Sequence, residues 1–178
     1  MKLLFLFVFA SGMVFSQSPL SDAKKLYTAF HDIDLETVSE MLCSNDSKEE
    51  VYKKLDAYFL SDESKFRYVQ TNAKYNISPK KIIGDKSYHV VDFRNVVRVT
   101  YFKPIEVGAT QKSLKEKFNA QSINYDKNRN AFLIVYTTKM IVFSESDGQW
   151  KFLFDDNTIP RDISESCIDT NVKKDLGL

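Results

Sequence analysis

Six polar side chains interrupt otherwise apolar runs of this sequence. His89, Asn95 and Tyr101 fall in the stretch Lys86 to Lys103, and Tyr136, Thr138 and Lys139 in the stretch Ala131 to Phe154. A few directional hydrogen-bonding groups set in an aliphatic and aromatic lining are what a small-molecule pocket requires. In the first stretch, strand alternation places His89, Val91, Phe93, Asn95, Val97, Val99 and Tyr101 on one face. It places Tyr88, Val90, Asp92, Arg94, Val96, Arg98, Thr100 and Phe102 on the other. The first set is the more apolar and is expected to face the core, which makes its polar members pocket candidates. The competing reading puts His89 at a strand end touching solvent, and has Asn95 mark a bulge or bond to backbone, because buried polar groups are as a rule satisfied within the protein. Lys139 has apolar neighbours on both sides, so its ammonium must reach water or a carboxylate.

Asp92, Arg94 and Arg98 share the opposite parity. They read either as a solvated outer face of little energetic weight or as an interaction patch. In the second case Arg94 and Arg98 would bind an anion, a protein partner or a second copy of the chain. Other chemistry lacks its residues. With only His31 and His89, and cysteines far apart, no zinc spacing exists and no metal site is expected. No nucleophile turn of the G-x-S-x-G type occurs. Five glycines give no phosphate-cradling loop, so no cofactor is expected. Asp155-Asp156-Asn157 lacks the glycine and distal glutamate of a calcium loop. No catalytic residue is assigned. Asn45-Asp46-Ser47 and Asn76-Ile77-Ser78 fit the glycosylation pattern, which matters only for a eukaryotic source.

The opening MKLLFLFVFASGMVFSQ combines a basic start at Lys2, an apolar run from Leu3 to Ala10 and small residues toward its end, the arrangement of a secretory signal. Cleavage is expected after Ser16, giving a signal over 1–16, or after Gln17. Its apolar run is too short to span a bilayer, so no stable membrane insertion is expected after cleavage. Removing this segment takes away Lys2 and leaves 24 basic against 24 acidic residues, a balance that argues against nucleic-acid binding by bulk electrostatics. The expected location is periplasmic or secreted. In such an oxidising compartment the only two cysteines, Cys43 and Cys167, suggest a disulfide; two separate buried thiols are the alternative.

The elements that must position these residues follow from periodicity. Ala23, Leu26, Tyr27 and Phe30 recur at helical spacing behind an N-cap expected at Ser21. Asp34 caps a short second helix through Leu35, Val38, Met41 and Leu42, and a third buries Val51, Leu55, Tyr58 and Phe59. From Lys65 the period shortens: one or two short strands through Phe66, Tyr68 and Ala73 to Ile77, then the long strand from Lys86. A brief helix over Ser113 to Asn119 and a small strand at Ile123 to Asp126 lead into a hairpin. Its limbs run from Ala131 and through Trp150, Phe152 and Phe154, with Ser146-Asp147-Gly148 as the turn. Residues 21–156 read as a single α+β domain, and 157–178 as a polar tail with one short turn of helix near Cys167 and a frayed end.

Three helices followed by long meandering strands that end in a DG-type turn and a W-x-F strand resemble the nuclear transport factor 2-like superfamily, which includes ketosteroid isomerase. The resemblance covers roughly residues 21–154, and the export signal is similar to that of exported bacterial members. It implies N-terminal helices packed on a strongly curved antiparallel sheet, enclosing a conical pocket that some members use for catalysis and others for ligand binding or association. A cystatin-like fold is the alternative, and the extra N-terminal helices count against it. The functional expectation is an exported, non-catalytic domain that binds a small ligand or a protein. The alternative is a ketosteroid-isomerase-like isomerase or lyase, which needs a carboxylate base in an apolar pocket; the inward set on the long strand contains none.

Overall fold

The computed structural model describes residues 18–69, 74–144, 149–154, 159–163 and 167–178. The expected export signal, the expected turn at Ser146-Asp147-Gly148 and the run Asp155-Asp156-Asn157 lie outside the described residues. The architecture is α+β, with helices α1 (Pro19–Asp32), α2 (Leu35–Met41) and α3 (Lys48–Phe59) leading. Strands β1 (Ser64–Tyr68), β2 (Tyr75–Ile77), β3 (Lys81–Ile83) and β4 (Lys86–Tyr101) follow. Then come α4 (Val107–Phe118), β5 (Ser122–Asp126), β6 (Ala131–Ser144), β7 (Trp150–Phe154), a 3-10 turn at Arg161–Ile163 and α5 (Thr170–Leu176).

Local chemistry sets the helix boundaries. The N-cap of α1 is Ser18, not Ser21: the Ser18 hydroxyl accepts from the Ser21 amide at 3.1 Å, and Pro19 takes the first helical position, where its missing N–H costs nothing. The Asp34 carboxylate caps α2 on the Thr37 amide and hydroxyl, at 3.1 and 2.6 Å. Ser47 and Glu50 form a reciprocal capping box on α3. Helix α4 begins six residues earlier than the expected Ser113, because the Glu106 side chain caps the amides of Gly108 and Ala109. Glycine and β-branched residues in that first turn hide its periodicity from the sequence.

All seven strands form one antiparallel sheet, β1-β4-β6-β5, with β2 and β3 also on β4 and β7 also on β6. The expectation of a strongly curved, cone-like sheet is not met: the sheet is not strongly curled. From Tyr88 opposite Phe143 to Thr100 opposite Ala131, β4 and β6 pair one residue to one residue without interruption. β-Bulges are what bend and coil a sheet sharply, and this central ladder contains none.

The helices cover one face. Ala23, Leu26, Tyr27 and Phe30 of α1, and Val51, Leu55 and Phe59 of α3, pack on Phe66, Tyr68, Val91, Phe93, Val97, Phe132, Ile134, Phe152 and Phe154. Phe152 and Phe154 lie on this inner face, with Trp150 half-buried at its end. The opposite, outer face is apolar at one end only, where Tyr88, Ile141, Phe143, Leu153 and Ile168 form a second, smaller core. The tail supplies part of both layers. Ile159 and Ile163 join the main core, while Val172, Leu176 and Leu178 of the α5 segment lie on the outer one, in place of the frayed end expected. An ion pair from Lys54 to Asp162 at 3.0 Å ties the 3-10 turn to α3.

Cys43 and Cys167 are bonded, with 6.0 Å between their Cα atoms across a sequence separation of 124. Leu42 leaves α2 in an extended conformation and bridges Phe152 of β7 in parallel, and the Cys43 amide donates to the Phe152 carbonyl at 2.8 Å. Leu42 points into the main core, so the next residue, Cys43, turns toward the outer cluster, where Cys167 waits. Breaking a link that closes so long a loop should cost about 2–5 kcal/mol. Urea unfolding of Cys43→Ser is expected to show a midpoint lowered accordingly; an unchanged midpoint would mean the tail is held by packing alone.

Candidate functional site

The six pocket candidates do not converge. Asn95, Tyr136 and Thr138 lie at the centre of the inner face, on β4 and β6, where Asn95 stands opposite Tyr136 and Phe93 opposite Thr138. His89 and Tyr101 sit at opposite ends of β4, twelve residues and about 40 Å of extended chain apart. Lys139 lies on the outer face.

Asn95 is neither on a bulge nor bonded to backbone. Its side-chain oxygen accepts from the Tyr27 hydroxyl at 3.0 Å, and its amide nitrogen donates to the Tyr136 hydroxyl at 2.9 Å. Asn95 is 0% exposed, and Tyr27 and Tyr136 are each 1% exposed. The ring of Tyr27 is packed edge-on against Tyr68, Tyr75 and Phe93, and that of Tyr136 lies 5.1 Å from Phe118. Burial holds the phenols of Tyr27 and Tyr75 neutral, with pKa values raised well above the usual value of about 10. The centre of the inner face is therefore occupied by side chains bonded to one another. Such a fully satisfied polar network specifies a unique packing of α1 on β4 and β6. Tyr27 was not singled out in the sequence; its place at helical spacing with Ala23 and Phe30 signalled burial, but nothing local signalled its partner 68 residues away.

The two strand-end candidates are also engaged. His89 Nδ1 lies 3.0 Å from the Ser78 carbonyl oxygen, which can only accept, so Nδ1 carries the proton. Its ring meets Trp150 edge-on at 5.8 Å. Tyr101 is half-buried against Phe132, and burial, with Glu63 nearby, raises its phenol pKa. One carboxylate is buried among the described residues, Asp22, on the face of α1 that also carries Leu26 and Phe30. Desolvation raises its pKa and Lys25 opposes that shift. The i, i+4, i+8 spacing of Asp22 with Leu26 and Phe30 is the signal in the sequence that could have found its burial.

The outer face divides in two. Its Tyr88 end is covered by α5. Beyond that cover lie Asp92 opposite Lys139, exposed Arg94 opposite Thr137, half-buried Val96 opposite Val135, and half-buried Arg98 between Arg67 and Leu133. Arg67, on the edge strand β1, turns its guanidinium back to donate to the carbonyls of Phe59 and Phe66 at 3.1 and 2.6 Å. Phe59 ends α3, where the backbone dipole favours a cation. Neither the Arg94 nor the Arg98 side chain makes a hydrogen bond or ion pair among the described residues. Two surface depressions among the described residues bear on these candidates, and neither is lined by His89, Asn95, Tyr101, Tyr136 or Thr138. Lys139 lines one of about 420 Å³, and Arg98 one of about 160 Å³.

No known protein family and no curated protein matches this chain.

Replacing Asn95 with leucine removes the acceptor of a buried hydroxyl and is expected to destabilise the fold by about 1–3 kcal/mol, read by urea unfolding. A neutral effect would show that the network contributes nothing net. A second outcome concerns alkali. Phenols whose folded pKa exceeds the unfolded one contribute stability that is intact below about pH 10 and is lost as pH rises toward the folded value. Tyr27→Phe should therefore show a shallower loss of stability above about pH 10 than the wild type; equal slopes would exclude Tyr27 as a source of it.

Proposed function

We propose that this protein is an exported, non-catalytic interaction domain that binds an acidic protein segment on the uncovered half of its outer sheet face. One observation carries the reading: Arg94 and Arg98 lie on that face with no partner among the described residues, beside the half-buried apolar side chains of Val96 and Leu133. Four residues along one strand separate the two guanidinium groups by about 13 Å at their Cα atoms, two strand repeats. An extended acidic segment has the same repeat, so carboxylates on it could meet both arginines while its intervening side chains cover Val96 and Leu133. A second copy docking through a two-fold axis centred on Val96 would bring arginine against arginine, which favours an acidic partner over a homodimer centred there.

Export is supported by the signal-like opening and by the disulfide, which persists in oxidising compartments. No helix among the described residues is long and apolar enough to cross a membrane. The helices-then-antiparallel-sheet order is compatible with the nuclear transport factor 2-like fold. Within that superfamily the protein would be a member whose interior is filled, with Tyr27, Asn95 and Tyr136 occupying the centre. The buried carboxylate of Asp22 favours the isomerase-like alternative, but the hydroxyl of Tyr27 is already committed to Asn95 and the amide of Asn95 to Tyr136.

A labelled peptide alternating Asp or Glu with Val tests the reading by fluorescence anisotropy. The double substitution Arg94→Glu and Arg98→Glu is expected to weaken binding by at least about tenfold and to flatten its salt dependence, since two charge-assisted contacts are lost. Undiminished binding would remove the reading. Sedimentation should find both proteins monomeric; a dimer lost in the double variant would move the face to the homodimer reading.

A further inference from the structure

The depression that contains Lys139 lies at the border between the covered and uncovered halves of the outer face. One wall is Ser78-Pro79-Lys80, the chain between β2 and β3, with Lys81 at the start of β3, and the other is Leu176 and Leu178 at the end of α5. Its floor is the sheet itself, and the floor changes character over one strand repeat. Val90, paired with Ile141, is buried and apolar; two residues on, Asp92 and Lys139 stand opposite each other. The hollow, about 420 Å³, falls within the range of small-molecule sites.

The polar groups around it are unequally committed. The Ser78 hydroxyl accepts from the Val90 amide at 2.8 Å and donates to the Pro79 carbonyl at 3.1 Å, which braces the first wall against the floor. The Lys81 ammonium donates to the Asp175 carbonyl and so fastens that wall to α5. The side chains of Lys80 and Lys139 make no hydrogen bond or ion pair among the described residues, and Asp92 is the single side-chain carboxylate of the lining. The charged end of the hollow is thus net cationic, and its other end is aliphatic.

We infer that this hollow is a binding site for a small aliphatic carboxylate, whose head is held by Lys139 and Lys80 and whose tail lies on Val90 between Leu176 and Leu178. Charge complementarity selects the head: an ammonium would meet two lysines, and a neutral alcohol would gain only the apolar contact. The α5 wall is present because the Cys43–Cys167 bond holds the tail on this face. This site is independent of the acidic-segment reading, which uses Arg94 and Arg98.

The test uses the full chain, with decanoate, decylammonium and 1-decanol as probes and backbone amide shifts at Val90 and Leu176 as the readout. Decanoate is expected to bind and to shift both amides. Lys139→Gln, on a half-exposed side chain, should weaken decanoate by about tenfold and leave decanol unchanged. Leu176→Asp should weaken both, and Arg94→Glu with Arg98→Glu should leave decanoate binding intact. The inference is overturned if decanoate does not bind, if decylammonium binds equally well, or if Lys139→Gln leaves decanoate affinity unchanged in a protein whose circular dichroism matches the wild type.

Discussion

The pairing of β4 with β6 runs through thirteen consecutive partners without a slip. Strand side chains alternate with a period of two, so a one-residue shift anywhere in this ladder would turn Asn95 and Phe93 outward and drive Arg94 and Arg98 into the core. Burying two unpaired guanidinium groups is prohibitive, and exposing the aromatic row would forfeit most of the apolar burial. Register, face and core composition are therefore one constraint, and each further feature of the molecule is attached to one face or the other of this ladder.

On the inner face the constraint leads to closure. Phe30, Phe59, Phe93, Phe154 and Tyr27 are almost fully buried and interlock as tilted and edge-on rings. At the centre, Asn95 bonds the hydroxyls of Tyr27 and Tyr136. That arrangement orders α1 against β4 and β6 but leaves no donor pair free at Asn95 for a substrate. On the outer face the same ladder is only half covered. The α5 segment, tethered by its disulfide, shelters the Tyr88 and Ile141 end, and the remainder keeps charges whose partners are not supplied by the described residues. The charges without partners among the described residues lie on the outer surface and not in the interior, where the polar candidates first pointed.

The polar interruptions were real signals whose meaning depended on neighbours. Asn95 looked the same in sequence whether it opened into a cavity or bridged two tyrosines, because Tyr27 belongs to a helix 68 residues earlier. Lys139 was legible as an ammonium that must find water, and the pairing with Asp92 placed it outward. The packing of the tail is not legible because Ile159, Ile163, Val172, Leu176 and Leu178 are spaced too widely in a polar segment to show a period. They pack on two different layers, so no single periodicity describes them.

The amino-acid sequence by itself determined the class of the fold, the order of helices and strands, the parity of β4 and the pairing option for the only two cysteines. These depend on local periodicity, capping and composition, which act over a few residues. Only the tertiary structure decided that the sheet stays open, that the centre of its inner face is filled and that the chain after β7 crosses to the outer face. Those outcomes depend on which side chains meet across long separations, and a hydrogen bond or a disulfide between distant residues leaves no mark on the residues next to either partner.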